Sequence, residues 1–495
     1  MSELRHQMAR GAGWLMLARL ADRLIGMVSI ALLARLLAPS DFGLVAIASA
    51  VIAGSELFRA FSFEVALIQN QEAARAEYDT VWTLNAILGC AIALVVALLA
   101  YPSAEFYGDQ RLLWVLLALA VRPALTGARN VGVVDFRKYY RFERELYLNL
   151  STKLIGLFTT LPLAFYLRSY WALVCGMLAF ALADLLLSYV MHAYRPRFSL
   201  RARGDLMHFS KWLFVNNLGF FLGQRGPEVL VGKLAGTRAL GIFSLAYELA
   251  NLPTTELTAT INAATFPGYA RHGRDVSALR AEFLQVMGFV FLLLLPAGVG
   301  MVLIADLAVR TLLGEQWMDA VPVVQILACA GMLSAVSSNS GYIYMAVGKP
   351  RFITFVTAVQ LTLLLPGVVL GSLHGGALGA GWAYFAAMFA ATTPLNYVFI
   401  SRELRLRFSD VFQRLWRPVL GTAGMAACVE GVRGYLPARG VGGDVFALLV
   451  LSAAGAAVYT AVVMVLWAFA DRPPGAESSS LALLRTRLSQ PVARG

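Results

Sequence analysis

Basic side chains inside apolar segments are the first residues of this chain whose types could do chemistry. A charge at the centre of a lipid bilayer costs about 3 kcal/mol even on lenient scales, so each one needs a partner, a ligand or water. The guanidinium fork of arginine matches phosphate oxygens, and unneutralised arginines therefore predict an anion-binding site. Such bases are Arg19, Arg23, Arg59, Arg122, Arg129, Lys153 and Arg225.

Helical spacing groups some of these bases. Residues four or seven apart share one face of a helix, so Arg19 with Arg23, and Arg122 with Arg129, each predict a basic stripe. At about 1.5 Å per residue from Gly11, Arg19 and Arg23 lie roughly 12 and 18 Å along their helix. The expected substrate-binding residues, which would hold an anion, are Arg19, Asp22, Arg23, Arg59, Arg122, Arg129 and Arg225.

Structural ion pairs are the competing interpretation of the same bases. Acids stand three residues from several of them, in the pairs Arg19 with Asp22, Glu56 with Arg59, and Arg225 with Glu228. This alternative stays open for the last two pairs. It is weaker in the first and fourth predicted helices, where bases outnumber nearby acids.

Carboxylates in the second half predict a different role. Glu256 lies between Pro253 and Pro267, where we expect the helix to break, and a carboxylate beside a weakened helix is a candidate ion or proton site. Glu248 is a second candidate, and we expect both to be buried. The stretches PTTELTATINAATFPG and SAVSSNSGYIYMAVG are rich in small and polar residues, which more often serve close helix packing than form a site.

No pattern typical of an enzyme or a metal site is present in the sequence. The five histidines are dispersed, and there is no HExxH, GxSxG, Walker or DxD motif. The four cysteines stand alone in apolar segments, which indicates reduced packing residues. We therefore expect no catalytic residue, no metal, no cofactor and no direct use of ATP.

Membrane-spanning helices are the elements that must position these side chains. The 495 residues are 59% hydrophobic and only 14% charged, against about 25% charged in soluble proteins. The net charge of +12 falls in short clusters between apolar runs, which disfavours nucleic acid as a partner. Runs of about 20 apolar residues predict fourteen spans: 13–34, 43–67, 80–101, 112–133, 146–167, 171–193, 208–232, 240–267, 282–305, 319–346, 352–372, 377–400, 415–435 and 444–470.

Charges in the connecting segments predict the orientation. Most Lys and Arg outside the helices fall on the side of the N-terminus, notably in DFRKYYRFERE, RPRFSLRARGD and SRELRLRFSDVFQRLWR. By the positive-inside rule both termini lie in the cytoplasm. We interpret these clusters as topology and anchoring signals rather than as a lipid site.

A weak internal repeat predicts two lobes. ARLLAPSDFGLVAIA, from Ala34, aligns without gaps with GKLAGTRALGIFSLA, from Gly232, so that Gly43 meets Gly241. Six predicted helices separate the copies, an even number that gives both the same orientation, as in parallel repeats. We expect an all-α integral membrane fold of about 14 transmembrane helices, with two six-helix lobes in a parallel pseudo-twofold repeat and two extra C-terminal helices. The predicted domains are 1–200 and 201–402 for the lobes, 403–470 for helices 13 and 14, and 471–495 for a cytoplasmic tail.

Several motifs resemble one transporter family. ARLLAPSDFGLVAIA, RNVGVVDFRKYYRFERE, FSKW and YELANLPTTELTATINAATFPGYAR are similar to Wzx-type flippases of the polysaccharide transport family. That family belongs to the multidrug/oligosaccharidyl-lipid/polysaccharide exporter superfamily, and colanic acid and xanthan repeat-unit transporters look nearest. The resemblance covers roughly residues 10–400. It implies a central cationic cavity and places Arg19, Asp22 and Arg23 at the lipid headgroup.

One position departs from the family pattern. Where the resemblance leads us to expect an Asp-x-Gly pattern late in the second helix, the chain has Ala60 and Ser62. Glu64 would then have to supply a coupling carboxylate. The candidate ion-coupling residues are therefore Glu248, Glu256 and Glu64.

The resemblance implies a non-enzymatic flippase of the bacterial inner membrane that acts by alternating access. It would carry an undecaprenyl-diphosphate-linked oligosaccharide to the periplasmic leaflet for exopolysaccharide, capsule or O-antigen synthesis, as a monomer beside a polysaccharide polymerase. An ion-coupled multidrug antiporter of the same superfamily stays open as an alternative. A membrane glycan polymerase or ligase is disfavoured, because the longest predicted exterior loop, Asp306 to Asp319, is short.

Overall fold

Apolar helices make up the described part of the chain. The computed structural model describes residues 2–57, 67–68, 70, 72–201, 211–272, 275–436, 441–472 and 478. Two compact units divide the chain, Met1–Gly241 and Ile242–Gly495. Eight helical segments in the described residues are long and apolar enough to cross a membrane: Arg75–Tyr107, Phe142–Leu167, Trp171–Met191, Phe221–Thr255, Val276–Leu312, Glu315–Ala346, Arg351–Leu404 and Gly442–Phe469.

The first unit begins with two helices and continues through a broken span. Its helices are α1 (Ser2–Leu36), α2 (Pro39–Glu56), α3 (Arg75–Tyr107), α4 (Arg111–Leu119), α5 (Val121–Gly127), α6 (Asp135–Lys138), α7 (Phe142–Leu167) and α8 (Trp171–Met191). The unit also takes in the first part of α9 (Lys211–His272). Apolar side chains such as Leu33, Leu37 and Ala164 join α1 to α7 in one buried cluster.

A bend of 65° separates Arg111–Gly127 from Val131–Lys138, so the helix in the predicted span 112–133 is broken after Gly127. Asn130 explains the bend, because its side chain satisfies backbone groups that a continuous helix would have paired. Its Oδ1 accepts the N–H of Gly132 at 2.9 Å, and its Nδ2 donates to the carbonyl of Tyr194 at 2.8 Å. The break is therefore tied to the segment that follows α8.

Helix α9 consists of two helices that meet at Gly236, between the predicted spans 208–232 and 240–267. The backbone inside it leaves helical geometry at Gly236, which has a φ of 85°. Glycine has no Cβ and adopts this left-handed region without strain, so the chain turns there. The predicted break between Pro253 and Pro267 is wrong, because the helix continues through both prolines to His272.

The second unit is built from the rest of α9 and the later helices. These are α10 (Val276–Leu312), α11 (Val321–Ala346), α12 (Arg351–Ala387), α13 (Thr393–Leu404), α14 (Phe408–Arg433) and α15 (Val441–Phe469). A π-helical turn, Met388–Thr392, joins α12 to α13, and Gly376 interrupts α12 with non-helical torsions. One buried cluster of this unit includes Phe283, Phe291 and Tyr344.

Gly43 and Gly241, which the repeat alignment pairs, touch through their backbones. A Cβ on Gly43 would collide with the carbonyl of Thr237 and lie 3.0 Å from the nitrogen of Gly241. A Cβ on Gly241 would collide with the carbonyl of Pro39 and lie 3.1 Å from the nitrogen of Gly43. Pro39 and Thr237 are themselves aligned, so the contact is reciprocal.

Candidate functional site

The basic residues of α1 lie near Lys153 of α7. Nζ of Lys153 lies 2.5 Å from Oδ1 of Asp22 and 2.6 Å from the Asp22 carbonyl oxygen. A Cβ on Gly26, one turn further along α1, would lie 3.7 Å from this ammonium, at ordinary van der Waals distance. The side chain of Asp22 is 64% exposed and that of Lys153 is 27% exposed. The ion pair is therefore open on the Asp22 side.

Arg19 and Arg23 share the face of α1 that the sequence predicts, because α1 is continuous through both. Arg19 is exposed and Arg23 is half-buried. The alternative pairing of Arg19 with Asp22, which the sequence disfavours in this helix, is absent among the described residues, where Asp22 pairs with Lys153. Arg19, Arg23, Lys153 and Asp22 form what we call the α1–α7 cluster, with three bases and one acid.

The predicted stripe of Arg122 and Arg129 is also wrong. α5 ends at Gly127, and Arg129 lies in the turn that follows, so no single helix face carries both residues. Nε of Arg129 lies 3.1 Å from Oδ2 of Asp184 on α8. Arg122 is half-buried, and the described part of the chain offers it no ion-pair partner. The two arginines therefore have different surroundings.

Arg225 forms the local ion pair that its spacing predicts. Its Nη1 donates to Oε2 of Glu228 at 2.7 Å, one helical turn away. The structural alternative is confirmed for this pair. Glu228 therefore compensates the charge of Arg225 within α9.

The remaining predicted residues are only partly described. Arg59 and Glu64 lie outside the described residues, as does the side chain of Glu256, although its backbone is helical in α9. Glu248 lies on an exposed face of α9, so the expectation that it is buried is wrong. Among the described residues no group of three or more His, Cys, Asp and Glu could hold a metal ion.

The polar stretch of α11 is occupied by contacts between helices. Asn262 Nδ2 donates to Ser338 Oγ at 3.2 Å, and the Tyr269 hydroxyl donates to Oδ1 of Asn339 at 3.0 Å. Further along, the Tyr344 hydroxyl donates to Oδ1 of Asn396 at 2.9 Å. These bonds support the interpretation of SAVSSNSGYIYMAVG as a packing surface.

Lys153 lies in the candidate site but is absent from the predicted substrate-binding residues. The sequence marks it as an intramembrane base, but the acids of its own helix, Glu143 and Glu145, are more than one turn away. A base with no acid at helical spacing needs a partner from another helix. That signal could have placed Lys153 in the site.

Comparison with known proteins identifies the family. Residues 32–322 match the family described as polysaccharide biosynthesis protein. The chain belongs to this family. The predicted resemblance to Wzx-type flippases of the multidrug/oligosaccharidyl-lipid/polysaccharide exporter superfamily is thereby confirmed.

Members of this family with assigned names match over most of their length. The chain is 24% identical to the teichuronic acid biosynthesis protein TuaB of Bacillus subtilis, covering 87% of this chain and 90% of TuaB. It is 24% identical to the lipopolysaccharide biosynthesis protein WzxC of Escherichia coli, covering 84% and 85%. The succinoglycan biosynthesis transport protein ExoT of Rhizobium meliloti is 23% identical, with 92% of each chain covered.

Solved structures of transporters show the same fold. The lipid II flippase MurJ in an inward closed conformation superposes with a TM-score of 0.68 at 11% identity, covering 92% of this chain and all of MurJ. An inward-facing multidrug resistance transporter of the MATE family superposes with a TM-score of 0.50 at 16% identity, covering 79% of this chain and 95% of that one. The chain is a multi-pass membrane protein with a transporter fold.

Proposed function

We propose that this protein is a flippase that moves an undecaprenyl-diphosphate-linked oligosaccharide repeat unit from the cytoplasmic to the periplasmic leaflet of a bacterial inner membrane. The observation that carries the proposal is the α1–α7 cluster, three bases and one acid among apolar helices, in a chain of this family. The relative ExoT is named as a succinoglycan transport protein, and WzxC as a lipopolysaccharide biosynthesis protein. Both names concern polysaccharides, which supports the substrate class.

The α1–α7 cluster is suited to a diphosphate. Arg19 and Arg23 each offer a planar fork of donors, and charge-assisted bonds of this kind are among the strongest in proteins. The ammonium of Lys153 donates to Asp22, and this bond holds a third positive charge near Arg19 and Arg23. A diphosphate would bring negative charge to these three bases.

The other arginines take different parts in the proposal. Arg129 and Arg225 each have an acidic partner, Asp184 and Glu228, and we assign them to helix packing. Arg122 and Arg59 remain candidates for contact with the oligosaccharide or its diphosphate.

Transport by alternating access completes the proposal. The finer layout is fourteen helices in two six-helix lobes with both termini in the cytoplasm, and the reciprocal contact of Gly43 with Gly241 supports the repeat behind it. Glu248 and Glu256 are the candidate carboxylates for ion coupling. A proton crossing 100 mV supplies about 2.3 kcal/mol, enough to bias two conformations severalfold.

A multidrug antiporter is the second candidate, and the similarity to a MATE structure is the observation that favours it. That similarity extends to the fold alone. The named polysaccharide relatives cover more of the chain, 92% for ExoT against 79% for the MATE structure, and so favour the flippase.

Polysaccharide export in a strain that lacks its own copy of this gene tests the proposal. Arg23→Ala should reduce export more than about 100-fold, because a charge-assisted contact is worth about 1.5 to 3 kcal/mol and a bidentate arginine makes two. Arg23→Lys should recover only part of it, since an ammonium cannot bond bidentately. Arg35→Ala, in the last turn of the same helix, is the matched control and should export normally. Full export by Arg23→Ala at normal membrane abundance would overturn the assignment.

A further inference from the structure

A basic cavity of about 570 Å³ lies in the first unit, apart from the α1–α7 cluster. It is formed where the broken span, the start of α7 and the end of α8 come together. Its lining residues are Asp135, Phe136, Tyr139, Arg141, Arg144, Val190, Met191, His192, Ala193 and Arg195. The cavity thus combines three arginines with an apolar wall.

The acid in this cavity is already satisfied by its neighbours. Oδ1 of Asp135 accepts the Tyr78 hydroxyl at 2.5 Å, and Oδ2 lies 3.3 Å from Nε2 of His192. Nδ1 of His192 accepts the N–H of Tyr194, so the ring proton lies on Nε2 and points at Asp135. Asp135 therefore does not need the arginines as partners.

Arg195 is held in place by the backbone beside it. Its Nη1 donates to the carbonyl oxygens of His192 and Tyr194 at 2.8 and 2.9 Å, and its guanidinium lies 5.7 Å from the ring centre of Tyr189. The hydroxyl of Tyr194 donates to Asp79, which anchors this segment to α3. Burial, aided by that hydrogen bond, raises the pKa of Tyr194 above its usual range, so the phenol stays protonated and remains a donor.

Arg141 and Arg144 supply the charge that has no counterpart. Both side chains are exposed, and neither guanidinium has an ion-pair partner among the described residues. The acids closest to them in sequence are Glu143 and Glu145; neither lines the cavity, and Glu145 pairs with Arg137. The cavity therefore has an excess of positive charge.

The surroundings of the cavity indicate a lipid rather than a soluble anion. Val190 is 79% exposed at the end of a candidate span, and Tyr139 and Tyr140 are 56% and 45% exposed nearby. Exposed tyrosines beside an apolar span are typical of the depth at which lipid headgroups lie. We propose that this cavity binds the phosphate of an anionic phospholipid headgroup through Arg141, Arg144 and Arg195, with an acyl chain lying along Val190.

Native mass spectrometry of the full-length protein in micelles tests this site. With phosphatidylglycerol and phosphatidylcholine supplied together, we expect selective retention of phosphatidylglycerol. The double variant Arg141→Ala with Arg144→Ala should lose at least tenfold in affinity, because two charge-assisted contacts disappear. The matched control is Arg197→Ala with Arg201→Ala, which removes the same charge from exposed positions outside the cavity and should retain affinity within twofold.

Three results would overturn the proposal. Equal losses in the two double variants would mean that general surface charge attracts the lipid. Equal retention of the two lipids by the unchanged protein would mean that the cavity does not select an anion. Complete displacement of phosphatidylglycerol by millimolar inorganic phosphate would identify a site for the free anion. The variant Arg141→Lys with Arg144→Lys keeps the charge without the fork, and we expect it to bind with intermediate affinity.

Discussion

Two ion pairs of the first unit each have one partner well inside a candidate span, whereas two pairs of the second unit lie near the helix ends. Lys153 and Asp184 are well within their apolar helices and have partners in other segments. In the second unit, the pairs Arg280 with Asp410 and Lys349 with Glu403 lie near the ends of their helices. A charged side chain costs several kcal/mol inside a membrane. The charged side chains inside the spans of the first unit are therefore not explained by folding alone.

Two neutral hydrogen bonds connect helices in the interior of the second unit. Tyr269 with Asn339 and Tyr344 with Asn396 connect its helices without net charge. Its cavity of about 830 Å³ is lined mainly by apolar side chains such as Phe283, whereas the 570 Å³ cavity of the first unit carries three arginines. The two cavities therefore differ in charge, the one in the first unit being basic and the one in the second unit mainly apolar.

The largest effect should follow from removing a partner inside the first unit. Asp184→Ala leaves Arg129, which is 27% exposed, without its carboxylate, and we expect the free energy of unfolding to fall by about 2 to 3 kcal/mol. Thermal unfolding of the purified protein in detergent measures it. The double variant Asp184→Ala with Arg129→Leu should recover most of the lost stability. Unchanged stability of Asp184→Ala would show that ion pairs inside the first unit do not differ from those of the second.

A smaller effect is expected for a neutral bond of the second unit. Tyr344→Phe removes the donor to Asn396 at a side chain that is 1% exposed, so stability should fall by about 1 kcal/mol, independently of salt. Tyr397→Phe, at a position 36% exposed, is the matched control and should leave the unfolding temperature unchanged. A loss as large as that of Asp184→Ala would mean that the two units depend equally on polar bonds.

The smallest effect is expected at a helix-end ion pair of the second unit. Arg280 is 37% exposed and lies 2.7 Å from Asp410, and pairs as exposed as this contribute about 0.5 kcal/mol or less. Arg280→Ala should therefore reduce stability slightly at low ionic strength and not at all in molar salt, where the attraction is screened. Unfolding curves at two salt concentrations measure the difference. An effect that persists in high salt would show that this pair behaves like those inside the first unit.

The sequence predicts a helix correctly where the signal is a long run of apolar residues. The runs around α3, α7, α8 and α10 are long and apolar, and each lies in an observed helix. The bend after Gly127 could not be predicted, because Asn130 makes it by bonding to Tyr194, far along the chain. Continuity of α9 through Pro253 was missed for a similar reason, since proline alone predicts a break.

The predictions for the site divide in the same way. Arg225 and Glu228 were paired correctly because both lie on one helix turn. The same local rule offered Arg19 as an alternative partner for Asp22, yet the observed partner, Lys153, comes from α7. The packing of α1 against α7 decides which base pairs with Asp22. Spacing along one helix carries no information about that packing.

The reciprocal contact of Gly43 and Gly241 limits how the two copies of the repeat can diverge. Aligned positions beside it already differ, with Ser40 opposite Arg238. At the two glycines, a methyl group would need space that a backbone carbonyl occupies, that of Thr237 beside Gly43 and that of Pro39 beside Gly241. A larger residue at one glycine cannot be compensated by a smaller residue at the other, because glycine is already the smallest residue. Sequence drift in either copy is therefore blocked at this point.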